Sequence, residues 1–273
     1  MQETHHRYTT DGGCLDIGAA FVPEACIGFD ITADYAHFRR VGNNSAKPSY
    51  RIPPRTTIAG LLAGIMGMSR DSYYNLFSPA TSALAVVPKQ MPHTYMMAIT
   101  TVNTKADDAI QYLPKEKHYT KAAEMLTPES YVKYDRQRDT YEMLVDPVYR
   151  VYVALKDQEV HDELQDRLEN SRYHYSPSLG LSECIAEINA VDLHPVSSSS
   201  AERIDSASYD DTPVIPEPGV SIKRERAPLY MEADEGGRKT TAFGNITYST
   251  GSNGLPVDGS YVHSVGSHDV IFH

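Results

Sequence analysis

Apolar residues recur along this chain with two periods, every second residue in some segments and every 3.6 residues in others. The order of these segments most constrains the fold, because the first period is typical of strands and the second of helices. Residues 26–36 place Ile27, Phe29 and Ile31 at alternate positions, the pattern of a strand with one buried face. The same analysis predicts further strands and a second helix with apolar residues on one side. The strands are predicted at 82–90, 94–103, 147–156 and 184–193, and the second helix at 157–170.

The first helix follows two consecutive prolines. From Ile58 onward, apolar residues recur at i, i+3, i+4, i+7 and i+8, which predicts one buried stripe. We expect Thr56 or Thr57 to cap this helix, because a threonine side chain can accept a hydrogen bond from a free N–H group of the first turn. Gly60 and Gly64 are expected to allow close packing of the helix.

The order β-α-β-β-α-β with an insertion predicts an α+β protein, in which two helices cover one face of an antiparallel sheet. This is the ferredoxin-like (RRM-like) arrangement, which many unrelated functions share. Composition divides the chain into four regions. They are a polar N-terminal extension (1–24), the core (25–196) with an insertion at about 104–146, a Ser/Asp/Pro-rich linker (197–218) and a small β-rich region (219–273).

Composition also limits the class of protein. No run approaches the roughly 18 apolar residues of a membrane span, and the first residues do not resemble a signal peptide, so we expect a cytoplasmic protein. The three cysteines lack C-x-x-C spacing, which favours neither a disulfide framework nor a zinc site. We predict no metal and no cofactor.

The charge distribution is uneven. A net charge of −11 argues against indiscriminate binding to nucleic acid or membranes, and the excess acid is typical of proteins from high salt, although ordinary acidic proteins are also common. Residues 35–70 nevertheless contain no Asp or Glu. The cations of this stretch are Arg39, Arg40, Lys47, Arg51, Arg55 and Arg70. Such a stretch is compatible with a local basic groove.

The start of the first helix combines several features of an RNA site. Its free backbone N–H groups and dipole favour anions, and Arg51 and Arg55 can each bind phosphate oxygens in pairs. Tyr50 and Phe38 offer rings on which unpaired bases could stack. The alternative is that the prolines only stiffen the chain and the arginines form a solvated patch. Spacing alone leaves both interpretations open.

Three segments carry a resemblance to a known family. They are CIGFDITADYAHFRR (26–40), SYRIPPRTTIAGLLAGIMG (49–67) and YSPSLGLSECIAEI (175–188). In content and order they resemble the RAMP-type Cas five family of CRISPR-associated proteins, in which a first strand precedes a PPRTTI-GLLA helix and an LG-SE loop precedes a later strand. The helix start is the specific part, whereas the glycine loop would be weak alone.

The resemblance implies a noncatalytic RNA-binding subunit of a type I Cascade complex. Such a subunit grips the 5′ handle of CRISPR RNA (crRNA) beside the large subunit and the first backbone subunit, and the acidic composition would suit a haloarchaeal type I-B member. The resemblance carries RNA binding onto Arg39, Arg40, Lys47, Tyr50, Arg51, Arg55, the amides of Thr56 and Thr57, and Gly180. For Gly180, an ordinary turn glycine is the alternative.

The insertion resembles the family's thumb-like element. Its Lys115, Lys117 and Lys121 are expected to touch RNA or a neighbouring subunit. One branch of the family cuts precursor crRNA without metal by means of tyrosine, lysine and histidine, and Tyr50, Lys117 and His118 are residues of those types. A metal-independent endoribonuclease is therefore one alternative function. A scaffold that contacts only proteins is another.

Overall fold

The computed structural model describes residues 5–10, 13–19, 21–40, 46–102, 136–209, 214–235 and 237–273. Two α-helices occur in these residues, α1 (Arg55–Met66) and α2 (Gln158–Glu169), together with a short 3-10 helix at Gly259–Tyr261. The strands are β1 (His5–Thr10), β2 (Gly13–Ala19), β3 (Ala25–Thr32), β4 (Tyr35–Ala36), β5 (Phe38–Arg39), β6 (Ala46–Lys47), β7 (Ser49–Tyr50), β8 (Ser82–Gln90), β9 (His93–Val102), β10 (Arg136–Val145), β11 (Val148–Leu155), β12 (Glu187–Ser198), β13 (Arg203–Ile204), β14 (Ser208–Tyr209), β15 (Ile222–Asp234), β16 (Gly237–Ser249), β17 (Leu255–Pro256), β18 (His263–Val265) and β19 (His268–Val270). The α+β class is as predicted, and most of the regular structure in the described residues is sheet. None of the described helices is long and apolar enough to cross a membrane.

The central sheet has six strands in the order β19-β18-β12-β3-β11-β8. Strands β3 and β8 both pair antiparallel with β11, and the register places Phe29 opposite Val151 and Val151 opposite Val86. These side chains share one buried cluster with Ile58 of α1 and Leu164 of α2. Both helices therefore cover the same face of the sheet, as the apolar alternation requires.

Helix α1 begins at Arg55, and Pro54 is its N-cap residue without a side-chain hydrogen bond. The prediction that Thr56 or Thr57 caps the helix is wrong, because both lie inside the first turn. Proline suits this position since its fixed φ angle agrees with the entry into a helix. The N–H group of Thr57 donates to the Pro54 carbonyl oxygen at 2.8 Å. The helix ends at Gly67, whose φ of 74° is left-handed.

Strands β9 and β10 form a long antiparallel hairpin outside the central sheet, with His93 opposite Val145 and Val102 opposite Arg136. The strand predicted at 94–103 belongs to this hairpin, which we call the arm. Strand β10 also pairs with β4 and β6 at its base. Lys115, Lys117, His118 and Lys121 lie outside the described residues.

The C-terminal residues pack into the main core. Ala227, Leu229 and Tyr248 of the β15–β16 hairpin belong to the same buried cluster as Phe29. Strands β18 and β19 extend the central sheet beyond β12. The backbones of His273 and Leu84 exchange hydrogen bonds of 3.1 and 3.0 Å. The predicted C-terminal region is thus β-rich, and it shares its core with the first half of the chain.

Two polar segments contain regular structure where none was expected. The segment predicted as an N-terminal extension forms the antiparallel β1–β2 hairpin. The segment predicted as a linker contains β13 and β14, and its Ile204, Ala207 and Tyr209 are buried. The linker prediction is wrong because these residues cover the edge of β8, where the Ala207 N–H group donates to the Val86 carbonyl oxygen at 2.9 Å.

Candidate nucleic-acid interface

A groove of about 500 Å³ lies beside the N-terminal half of α1. Its other sides are residues 37–39 and 175–181 and part of the β15–β16 hairpin. The structure brings five of the nine predicted site residues to its lining, namely Arg39, Tyr50, Thr56, Thr57 and Gly180. The other four lie elsewhere, and each of them is engaged with protein groups.

Two glycines, Gly60 and Gly64, interrupt the helix wall of the groove, which Thr56, Thr57 and Leu61 also line. A Cβ atom added at Gly64 would meet nothing within 4 Å, and one at Gly60 would meet only the Tyr73 hydroxyl at 3.3 Å. Gly64 therefore does not serve close packing, contrary to the prediction from sequence. Together with Thr56 and Thr57, the two glycines leave the backbone of this helix face open to the groove.

Gly180 is required by its own chain. Its φ is +91°, and an added Cβ atom would lie 1.9 Å from the His37 carbonyl oxygen. The next contact of this loop is a hydrogen bond from the His37 N–H group to the Leu179 carbonyl oxygen at 3.1 Å. The close approach predicted at Gly180 is therefore to the protein backbone, and the loop is held against His37.

Three of the predicted cations are paired with acids from distant strands. The pairs are Arg40 with Glu225, Lys47 with Asp139 and Arg51 with Glu142. The hydrogen bond to Asp139, followed by one to Tyr141 at 3.0 Å, raises the pKa of the Lys47 ammonium. Since these acids lie on β10 and β15, a stretch that is purely basic in sequence becomes largely neutralised in space.

Arg51 faces the base of the arm. Its guanidinium donates to the Pro92 carbonyl oxygen at 2.9 Å and to the Thr94 hydroxyl at 3.4 Å. Its backbone N–H group donates to Glu225 at 3.3 Å. Arg51 therefore positions the arm relative to the core, and it does not line the groove.

Arg55 is a buried structural residue, with 2% of its surface exposed. Its guanidinium donates to the carbonyl oxygens of Phe77 at 3.0 Å and Ser82 at 3.3 Å, and to the Ser82 hydroxyl at 2.6 Å. It also donates to the His273 carbonyl oxygen. The prediction that Arg55 contacts phosphate is not supported by this placement, because the guanidinium binds carbonyl groups inside the protein.

Phe38 and Tyr50 cannot offer their rings to bases in this structure. They are 2% and 3% exposed, since the pairing of β5 with β7 places both in the core. The Tyr50 hydroxyl donates to the Arg226 carbonyl oxygen at 2.7 Å, and the Arg40 guanidinium lies 5.5 Å from the centre of the Tyr50 ring. Of the alternative catalytic set, Tyr50 is therefore buried, whereas Lys117 and His118 lie outside the described residues.

The exposed cations of the groove come from both halves of the chain. Arg39 and Arg238 are exposed and line the groove, and neither forms an ion pair with any described residue. Tyr175 stands at the groove with 61% of its surface exposed. Sequence reasoning missed Arg238 and Tyr175. The only local signal was that Tyr175 begins the third segment of the family resemblance.

The lining of the groove has the chemistry that an anionic, unpaired polymer would require. Two exposed guanidinium groups can contact phosphates, and an exposed aromatic ring can contact a base. No three His, Cys, Asp or Glu side chains of the described residues are grouped so that they could hold a metal ion.

Comparisons with known proteins identify the family. The family model described as CRISPR-associated protein (Cas_Cas5) matches residues 26–243, which is most of the chain. No curated protein matches the sequence.

Several solved structures are similar to this chain at low identity. A "CRISPR RNA-guided surveillance complex" chain is 14% identical with a TM-score of 0.46, covering 84% of this chain and 91% of that one. A chain of a Type III-B Cmr-beta complex bound to cognate target RNA is 13% identical with a TM-score of 0.43, covering 86% of both chains. A CRISPR protein from Archaeoglobus fulgidus is 13% identical with a TM-score of 0.39, covering 90% of this chain and 97% of that one. On the match of the family model, this chain belongs to the Cas5 family of CRISPR-associated proteins.

Proposed function

We propose that this protein is a noncatalytic RNA-binding subunit of a type I CRISPR surveillance complex (Cascade) and that it holds the 5′ handle of crRNA in the groove beside α1. The main support is that Arg39 and Arg238 are both exposed and both line this groove, in a member of the Cas5 family. The complex would also contain the large subunit and backbone subunits as neighbours. Membership of a CRISPR-associated family and the chemistry of the groove are both compatible with an RNA ligand.

The topology supports a ferredoxin-like core within this proposal. Strands β12, β3, β11 and β8 are adjacent in that order, α1 connects β3 to β8, and α2 connects β11 to β12. Numbered along the chain, this is the order 4-1-3-2 of the split βαβ arrangement. The arm of β9 and β10, which lies in a sheet separate from the central one, is then part of the thumb-like element.

The charge pattern favours one local RNA path. The chain has a net charge of −11, so most of its surface repels a phosphate backbone. Within the predicted basic stretch, Arg40, Lys47 and Arg51 already have acidic partners. Arg39 and Arg238 therefore remain the cations best placed to bind phosphates along the groove.

We propose a noncatalytic role because of the position of Tyr50. A tyrosine that transfers a proton to RNA must reach the 2′-hydroxyl or the scissile phosphate. The Tyr50 hydroxyl instead donates to a backbone carbonyl oxygen, in a side chain that is 3% exposed. This arrangement favours a role in holding β7 against β15 over a role in proton transfer.

The experiment is a binding titration without metal, in which the purified protein is mixed with a labelled single-stranded RNA carrying the handle of the CRISPR repeat. We expect the Arg39→Glu/Arg238→Glu variant to bind at least about tenfold more weakly, because both phosphate contacts become repulsive. Arg70→Glu is the matched control, since the Arg70 side chain is 80% exposed and outside the groove lining. It should change the affinity by no more than about twofold.

Three results would contradict the proposal. If the double variant binds RNA as well as the original protein does, the groove is not the RNA site. If the original protein binds no handle RNA, a protein-only scaffold becomes the better explanation. If incubation yields a discrete RNA product that His118→Ala abolishes, the protein is a processing ribonuclease. A gel of the same mixtures shows both whether the protein retains the RNA and whether it cleaves it.

A further inference from the structure

Tyr175 is the exposed aromatic residue at the groove, and the backbone around it is held by α1. Its N–H group donates to the Gly64 carbonyl oxygen at 3.3 Å, and the N–H group of His174 donates to the Ile65 carbonyl oxygen at 3.0 Å. The ring centres of His174 and Tyr175 lie 4.6 Å apart at an interplanar angle of 82°. Tyr175 is thus 61% exposed, on a segment whose backbone is hydrogen-bonded to the helix.

The end of α1 is shaped to accept this segment. A Cβ atom added at Gly67 would lie 2.6 Å from the His174 ring, so a glycine is needed for the ring to sit there. The left-handed φ of Gly67 also turns the chain away from the helix. The residues that end the helix therefore also form the surface on which His174 and Tyr175 pack.

The position of Tyr175 along the groove suits a stacked single strand. From Thr57 to Gly64, which binds the Tyr175 backbone, α1 advances by about 10 Å. A stacked strand rises by about 3.4 Å per nucleotide, so roughly three nucleotides cover this distance. The bare helix wall at Gly60 and Gly64 leaves room for them. Aromatic rings that stand in such grooves bind bases by stacking, whatever the base is.

We propose that Tyr175 is a base-stacking residue of the groove and that it binds one unpaired base of the RNA while Arg39 and Arg238 bind phosphates. This inference rests on the proposed function and assigns the base contact within it. It replaces Phe38 and Tyr50, the rings predicted from sequence, because those rings are buried. Because the backbone of Tyr175 is already held by α1, little backbone motion is lost on binding.

The first test compares three variants by fluorescence anisotropy with the labelled handle RNA. Tyr175→Ala should weaken binding about tenfold, as expected for the loss of one stacking contact. Tyr175→Phe keeps the ring and should remain within about twofold of the original protein. Tyr261→Ala is the matched control, because Tyr261 is 43% exposed and does not line the groove. Thermal unfolding of each variant verifies that it is folded.

The second test identifies the stacked base. RNAs with a single abasic position are titrated against the original protein and against Tyr175→Ala. At one position, the missing base should weaken binding to the original protein by about as much as Tyr175→Ala does, and it should weaken the variant no further. This non-additivity is the signature of a direct contact between the ring and that base.

The outcomes separate the two proposals. If Arg39→Glu/Arg238→Glu loses affinity while Tyr175→Ala does not, the groove binds RNA and the stacking role of Tyr175 is wrong. If every abasic position adds its effect to that of Tyr175→Ala, the ring acts indirectly and the inference is also wrong. If the original protein binds no handle RNA, the proposed function fails and the inference fails with it.

Discussion

Arg39 and Arg55 belong to the same basic stretch, yet their side chains have different roles. Arg39 is exposed at the groove, whereas Arg55 is 2% exposed and binds the carbonyl groups of Phe77, Ser82 and His273. The Arg55 guanidinium joins α1 to Phe77, to the first residue of β8 and to residue 273. It acts as a buried cross-link, because several carbonyl groups share one charged donor.

At this residue scale, we predict that Arg55→Leu lowers the free energy of unfolding by about 3 kcal/mol. The substitution leaves buried carbonyl oxygens without a charged donor. Urea denaturation measures the change, and Arg39→Leu is the control, expected to remain within about 0.5 kcal/mol because its side chain is exposed. Equal stability of the two variants would show that Arg55 is not a cross-link.

Among the elements, α1 connects the core to the groove. One side of the helix buries Ile58, Leu62 and Ile65, which pack on the central sheet. The groove side carries Gly60 and Gly64, and glycine inside a helix lowers its stability by roughly 0.5–1 kcal/mol relative to alanine. Because a Cβ atom at Gly64 would meet nothing within 4 Å, no close side-chain packing at this position requires a glycine. Gly64 instead leaves the helix side of the groove open.

At the scale of this element, Gly64→Ala should stabilise the protein by about 0.5–1 kcal/mol, since a Cβ atom at this position meets nothing within 4 Å. Differential scanning calorimetry should show a rise in Tm of about 2 °C. Gly180→Ala is the contrasting variant, because its φ of +91° and the 1.9 Å contact with His37 make alanine strongly unfavourable. A fall in Tm for Gly64→Ala would mean that the helix wall is not open.

Across the whole molecule, burial affects histidines in several parts of the fold. Desolvation is the main cause that lowers the pKa of five rings, those of His37, His161, His194, His263 and His268. His161 illustrates the reason, since its Nδ1 atom accepts the Leu155 N–H group at 3.2 Å and must be unprotonated to do so. Some of these rings lie in α2, in the central sheet and in the C-terminal strands, so a change of pH affects the stability of all these elements.

We therefore predict that the protein loses stability as the pH falls below about 6.5, the ordinary histidine pKa. Below that pH the unfolded chain binds protons that the buried rings do not, so the free energy of the unfolded state falls relative to that of the folded one. Each such ring contributes up to about 1.4 kcal/mol per pH unit. Urea titrations between pH 7.5 and 5.5 should show this slope.

A matched pair of variants isolates one contribution to the pH dependence. His161→Gln should reduce the slope, because it removes a buried ring, whereas His93→Gln should not, because His93 is exposed. A pH-independent free energy of unfolding over this range would contradict the prediction.

Much of the α+β order could be predicted from the sequence, because the type of an element depends on local periodicity. The alternation in 26–36 and the stripe from Ile58 are properties of neighbouring residues, and the structure has β3 and α1 at these places. The segments that resemble the family also contain residues that the structure brings to one groove, including Arg39 and Gly180.

The exposure and partners of each charge depended instead on chain folding over long distances. Glu225 and Asp139 meet Arg40 and Lys47 only because β15 and β10 pack beside the basic stretch. In the same way, Arg238 reaches the groove because the β15–β16 hairpin shares the main core. Local sequence therefore determined which segments are helix and strand, whereas tertiary packing determined which cations and rings reach the groove, since burial and ion pairing arise between segments far apart in the chain.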